Sequence, residues 1–177
     1  MTSHFQCRPK WMASACAFAA LCTAASILQA QPSSLEETAW VESAVAPPTV
    51  FSTEALQSFE VMKDSPLTYG VDPASMIVGG DGVVRFVMVA RSASGALNVL
   101  YLGIRCATAE TRTYARLSDK GNWNTSSDVK WQALSFRGPT RPAMMLARQG
   151  VCEGRTITGS PQKILATLKT DRRIDLR

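Results

Sequence analysis

The sequence predicts an α+β protein: one domain built on a mostly antiparallel β-meander, with C-terminal helices packed on one face and one disulfide. Three observations predict it. Val83 to Arg91 and Ala96 to Cys106 are apolar runs rich in Val, Ile, Leu and aromatics, and Ser92-Ala93-Ser94-Gly95 between them makes a β-hairpin with a short loop. Segments with strand character come first and helix-like segments last, as in folds that segregate α from β. With the first 30 of the 177 residues set aside, about 147 remain, enough for one hydrophobic core and not for two.

The first element is a leader. Met1 to Lys10 carries Arg8 and Lys10 and no acid, Trp11 to Leu28 is apolar and Ala-rich, and Leu28-Gln29-Ala30 ends on a small residue. This predicts a secretory signal peptide over residues 1–30, cleaved after Ala30, with an uncleaved anchor as the alternative. A lipoprotein fits less well, because Cys16 comes too early and Cys22 follows Leu21, where a small residue is wanted. No other run approaches the roughly 18 apolar residues of a membrane span, so no span is expected after cleavage.

Residues 31–50 contain Pro32, Pro47 and Pro48 without a sustained period and are expected to form an extended arm, with Trp40 as a local anchor on the domain. The domain is expected over residues 51–170. Ala55 to Lys63 alternates Leu56, Phe59 and Val61 as a strand does, and Asp64-Ser65-Pro66 ends it. Tyr69-Gly70-Val71-Asp72-Pro73 predicts a turn, Ser75 to Val78 a short strand, and Gly79-Gly80-Asp81-Gly82 a turn into the hairpin. If the four-residue loop sets Arg91 opposite Ala96, then Phe86 faces Tyr101, Met88 faces Val99 and Arg85 faces Leu102. Neither side of that ribbon is purely polar, so it belongs in the middle of its sheet with both faces at least partly covered. Arg85, Asn98 and Arg105 interrupt the apolar surface. A half-buried guanidinium needs hydrogen-bond partners, and loop carbonyls and a carboxylate are the structural expectation.

Beyond Cys106, Thr111 to Leu117 predicts a strand with Thr113 and Ala115 on one side and Tyr114 on the other. Ser118 to Asn122 is a turn. Trp123 and Trp131 bracket a polar segment, and Trp131 to Phe136 offers one more short strand. Pro142 suits a first helical turn, Met144, Met145 and Leu146 continue it, and Gly150 lies just past its end. Ser160-Pro161 caps a last helix with Ile164, Leu165 and Leu168 on one face. Residues 171–177 form a basic tail.

Of five cysteines, Cys7, Cys16 and Cys22 fall in the leader, leaving Cys106 and Cys152. An even pair in an exported chain predicts a disulfide, which would tie the first C-terminal helix to the end of the second hairpin strand. Two buried free thiols are the alternative. The formal charge of +5 falls to +3 on the cleaved chain, with 17 basic and 14 acidic residues, too mild and too scattered for nucleic acid. The single histidine, His4, lies in the leader, which removes His-assisted nucleophiles, histidine bases and histidine metal ligands from the exported chain. No Walker loop is present, and no cofactor is expected. One enzymatic route survives, a carboxylate pair of glycosidase type, for which Glu60, Asp72, Asp81 and Glu110 are candidates. Their spacing selects no pair, and Asp72 before Pro73 and Asp81 before Gly82 are ordinary turn acids.

The segment from Val71 to Ala115, followed by Trp123, Trp131, a helix and Cys152, resembles the cryptic neisserial protein-like family, exported proteobacterial proteins of unknown function, over roughly Trp40 to Ile164. The most specific piece combines Asp81-Gly82, Arg85, Asn98, Tyr101, Gly103-Ile104-Arg105-Cys106 and Tyr114. The resemblance implies export to a Gram-negative envelope, as a periplasmic or secreted protein, and supplies no catalytic residues. It also implies an acid in relatives where this chain has Leu102, and a Tyr in place of Phe86. If that acid pairs with an Arg, the network around Arg85 and Arg105 is altered here. Asp81, Arg85, Asn98, Tyr101, Arg105 and Tyr114 are the candidate structural or binding polar network. The expected function is a non-enzymatic domain binding an envelope component, protein or glycan; the alternative is a carboxylate-dependent cell-wall or glycan hydrolase.

Overall fold

A computed structural model describes residues 39–125 and 129–170. The signal peptide expected over residues 1–30, the first part of the arm and the basic tail at 171–177 lie outside the described residues. The sheet is laid down on the central hairpin, β4 (Val83–Ser92) and β5 (Leu97–Arg105). Around it stand β1 (Gln57–Phe59), β2 (Leu67–Val71), β6 (Glu110–Leu117) and β7 (Trp123–Thr125), in the order β1-β2-β4-β5-β6-β7 and antiparallel at each pairing. Two short strands complete its edges, β3 (Ile77–Val78) on β4 and β8 (Gln132–Ala133) on β6. Between β2 and β3 the chain leaves the ladder in a 3-10 turn, Pro73–Ser75. There the Val87 N–H donates to Ser75 Oγ at 2.9 Å and the Asp72 N–H to the Val87 carbonyl at 3.0 Å, so the buried backbone stays paired.

One face of the sheet is covered by the C-terminal third of the chain. Helix α1 (Arg141–Leu146) runs into a wider turn, Ala147–Val151, then the hairpin β9 (Cys152–Glu153) and β10 (Thr156–Ile157), and finally α2 (Pro161–Thr170). Leu146, Val151 and Ile164 are fully buried in one cluster with Val84, Phe86 and Ile104. Ser160 Oγ accepts the Lys163 N–H at 3.3 Å, the cap expected for α2. The Cys106–Cys152 disulfide, with Cα atoms 5.7 Å apart, ties the end of β5 to the start of β9, and so joins sheet to helical layer as expected. The other face holds a second cluster, Val87, Val89, Val99, Tyr101 and Ala115, closed by Phe51, Leu56, Tyr114, Leu117 and Trp123. Its cover is the chain's own N-terminal part from Ala39 onward, which contains neither strand nor helix before β1.

Four local expectations are corrected. The hairpin register is one residue off: Ser92 faces Ala96, and Phe86 pairs with Leu102, Met88 with Leu100 and Arg85 with Gly103. The loop has three residues, with Gly95 at φ +84° and the Ser92 and Gly95 N–H groups bonded to Ala96 and Ser92 carbonyls, the three-residue turn that ends in a left-handed glycine. A one-residue slip exchanges faces, so Leu102 belongs to the helix-side core, away from Arg85, and an acid at that position would not reach Arg85. The segment Tyr69 to Val71 is strand β2 and not a turn. Gly70 marks a close approach, since a Cβ there would lie 2.8 Å from Leu56 Cβ. Thr113 and Ala115 do not share a side. A bulge sets Tyr101 opposite Ala115 and Leu102 opposite Thr113, so Tyr114 is the extra residue and packs with Ala115 on the arm side. Of the strand expected from Ser75 to Val78, only Ile77–Val78 pairs; Ser75 is the plug described above.

Candidate functional site

Arg85 is the largest fully buried side chain, on the arm side of the central strand. Its Nη1 donates to Asp81 Oδ1 at 3.1 Å and its Nη2 to Asp81 Oδ2 at 2.6 Å, a two-pronged pair. Nη2 also donates to the Ser43 carbonyl at 3.3 Å and lies 3.6 Å from Glu42 Oε1. Glu42 in turn accepts from Arg112 Nη1 at 2.7 Å, Tyr114 Oη at 2.6 Å and Trp131 Nε1 at 3.1 Å. The Ser43 N–H donates to Asp81 Oδ2 at 2.9 Å, and Trp40 Nε1 to the Asp81 carbonyl at 2.7 Å. Arg105 stacks on the Trp40 ring, 3.8 Å from its centroid. Trp40 is therefore the anchor expected of it.

Two glycines make room for this assembly. A Cβ at Gly103, opposite Arg85, would lie 2.7 Å from the Tyr114 ring, and one at Gly79 would lie 2.3 Å from Asp81 Oδ1. The electrostatics follow from the contacts. The hydrogen bonds from Arg85 hold the Asp81 carboxyl at about 2, against the opposing effect of burial. For Glu42 burial acts upward, but the bonds from Tyr114, Trp131 and Arg112 outweigh it and the pKa is lowered. Burial pushes the Tyr114 phenol up, and its hydrogen bond to Glu42 pushes it further. Burial would lower the Arg85 pKa, but its bond to Asp81 and that charge raise it on balance. The cluster is thus two fixed carboxylates, two fixed guanidinium groups and a neutral phenol.

Of the six residues of the expected polar network, Asp81, Arg85 and Tyr114 are at its heart, Tyr101 packs against Tyr114 with ring centroids 5.5 Å apart, and Arg105 joins through Trp40. Asn98 does not belong to it. It lies exposed near the hairpin tip, bonded to Arg116. Sequence reasoning missed Glu42, Ser43, Arg112 and Trp131, the groups that make the network bridge arm and sheet. Glu42 lies in an aperiodic stretch, and only its proximity to the anchor Trp40 could have drawn notice. Among the acids weighed for catalysis, Asp72 is buried at the 3-10 turn, where Oδ1 accepts the Ala74 N–H at 3.4 Å. Glu110 begins β6 beside Arg105 and Ala133, and Glu60 follows β1 with its backbone N–H and carbonyl bonded to Gln149.

The helix side is more open. A groove of about 600 Å³ lies between the tip half of the sheet and the start of α1, floored by Leu67, Tyr69, Met88, Leu100 and Leu102. A second hollow of about 570 Å³ adjoins it beside Met145 and Arg148, and Arg141 lines both. Among the described residues no salt bridge reaches Arg116, Arg141 or Arg148, whereas across the sheet Arg85 and Arg112 are paired. No group of three or more His, Cys, Asp or Glu side chains among the described residues could hold a metal ion. No described helix is long and apolar enough to cross a membrane.

No curated protein and no solved structure matches this sequence. The sequence model of the CNP1-like family matches residues 35–169, which takes in the arm from before Trp40, the whole sheet and nearly all of α2. With well over half of its length matched, the chain belongs to the CNP1-like family.

Proposed function

We propose that this chain is exported to the periplasm or cell surface and acts there as a non-enzymatic binding domain. We further identify the CNP1-like family with the cryptic neisserial protein-like group that the sequence resembles. The leader pattern of residues 1–30 and the two surviving cysteines support export. The observation that carries the binding reading is the contrast between the two faces. On the arm side Glu42 and Asp81 are both spent on internal cations, while on the helix side an open groove of ligand size presents guanidinium groups without carboxylate partners among the described residues.

The hydrolase reading has one observation in its favour. Glu42 and Asp81 both approach the same Arg85 nitrogen, at 3.6 and 2.6 Å, so two carboxylates do stand close together. A glycosidase acid, however, must hold a proton near neutral pH, which requires a raised pKa. Both of these acids are lowered, and Arg85 occupies the space between them. Purification of the protein from native envelope, with mass spectrometry of whatever accompanies it, tests the binding reading: a reproducible partner supports it. Release of soluble sugar or peptide fragments from cell-wall substrate, abolished by Glu42→Gln, would replace it with the hydrolase.

A further inference from the structure

We propose that the helix-side groove binds a single-chain amphiphilic anion, an acyl carboxylate, with its head on Arg141 and its chain laid along β2, β4 and β5 toward the hairpin tip. This rests on the binding reading above and names its ligand class.

The floor selects the chain. Leu67, Tyr69 and Leu100 are half-buried and Met88 and Leu102 buried, so the surface is apolar yet open from above. The strands beneath are neighbours in one hydrogen-bonded sheet, with β4 paired on both sides and β5 between β4 and β6. Among the described residues the floor has no free backbone edge at Tyr69, Met88, Leu100 and Leu102, whereas Leu67–Thr68 of β2 and Leu97–Val99 of β5 are paired on one side only. A peptide laid across its middle would find no backbone partner in the sheet for its own N–H and C=O groups. An acyl chain brings no such groups and gains only from area removed from water. A volume of about 600 Å³ suits one chain of this kind.

Arg141 selects the head. Its Nε is buried without a hydrogen-bond partner, and no carboxylate pairs with it among the described residues. The groove's lining holds Arg116 and Arg141 and neither Asp nor Glu. Arg141 is half-buried, and the planar fork of a guanidinium matches a carboxylate with two parallel bonds. The complementary ligand is negative at the Arg141 end and apolar over Leu67, Tyr69, Met88, Leu100 and Leu102, ending short of Arg116 and Asn98 near the hairpin tip.

Calorimetric titration of the exported protein with dodecanoate, dodecanol and dodecyltrimethylammonium, each below its aggregation limit, tests this. Dodecanoate is expected to bind at least about tenfold more tightly than the other two and to weaken in high salt. Arg141→Gln is expected to remove at least about tenfold of the dodecanoate affinity without changing that of dodecanol, through loss of the charge-assisted pairing with the carboxylate. Thr113→Trp, which fills the groove beside its floor, is expected to weaken all binding. Equal affinity for the three amphiphiles, or an unchanged dodecanoate affinity in a folded Arg141→Gln protein, overturns the proposal. The head-group series is read on the unaltered chain, so it decides even where a variant does not fold. If no amphiphile binds while a partner accompanies the protein from native envelope, the acyl anion is wrong and the binding reading stands; if neither is found, both fall.

Discussion

At the scale of single residues, the decisive group is a carboxylate in a stretch without periodicity. Glu42 receives three hydrogen bonds from β6 and the segment after β7, and through Ser43 its neighbourhood also reaches Arg85 and Asp81. Arg85 could be singled out from sequence because it interrupts an apolar strand and must be satisfied. Its partner Asp81 was legible as a neighbour across a turn, but Glu42 was not, because nothing local ties it to a strand about 40 residues away. Replacing Glu42 with Ala strands Arg112 and the Tyr114 hydroxyl in a partly buried site, and is expected to cost about 2 to 3 kcal/mol in chemical denaturation. The same cluster sets a pH window. Asp81 is held at about 2 when folded, below its ordinary 3.8, so its contribution, about 2 kcal/mol, is complete above pH 4 and fades as pH falls from 4 toward 2. Tyr114 is raised above 10, so its contribution is complete below pH 10 and fades above it. Thermal midpoints measured across pH should fall at both ends. Asp81→Asn should flatten the acid side and Tyr114→Phe the alkaline side, and parallel curves for all three proteins would show that other groups govern both limits.

At the scale of elements, the central hairpin was legible because two long apolar runs flank a turn, but its register was not. The loop composition Ser-Ala-Ser-Gly suits either a four-residue or a three-residue connection, and the choice was made by Gly95 adopting a left-handed conformation. The bulge at Tyr114 had no sequence signal, since alternation in Thr111 to Leu117 is read one residue at a time and a bulge breaks the count by one. Gly70 misled by resembling a turn residue where it marks the close approach of Leu56, just ahead of β1. Gly103→Ala tests the bulge. The added methyl would lie 2.7 Å from the Tyr114 ring, which is also held by Glu42 and cannot retreat, so a loss of about 1 to 3 kcal/mol is expected. A neutral substitution, measured by urea unfolding, would mean that the ring has another place to go. The disulfide closes a separation of 46 residues, and Cys106→Ser or Cys152→Ser is expected to lower stability by about 2 to 5 kcal/mol. Reductant should reproduce that loss in the unaltered protein and have no further effect on either variant.

At the scale of the whole domain, the two faces of one sheet are covered by opposite ends of the chain, and by different means. Away from the hairpin tip the helix side is covered by a disulfide-tethered layer packed on Val84, Phe86 and Ile104. The arm side is closed by residues 39–56, which form no ladder and are held by side chains. Trp40 and Glu42 fasten one end, the Trp123 Nε1 bond to the Pro48 carbonyl at 2.9 Å the middle, and Arg91 with Thr53 and Glu54 the other. The boundary drawn from sequence at residue 50 therefore falls inside this cover, because proline content marks the arm as extended without saying that it runs on into Phe51 and Leu56, which pack on the arm-side cluster. Val87, Val89, Val99 and Tyr101 depend on that cover. A chain beginning at residue 57 would return this cluster to water, at about 1.5 to 3 kcal/mol for each large apolar side chain uncovered or removed, and would leave Arg85 and Arg112 without Glu42. Against a total stability of about 5 to 15 kcal/mol that loss is decisive. The shortened chain is expected to self-associate in size-exclusion chromatography with light scattering and to bind a hydrophobic dye. A chain beginning at residue 39 is expected to be monomeric, with the thermal midpoint of a chain beginning at residue 31. If the residue-57 chain is instead monomeric and unfolds at the same midpoint, the arm is an appendage and the arm-side charge cluster contributes nothing to the fold.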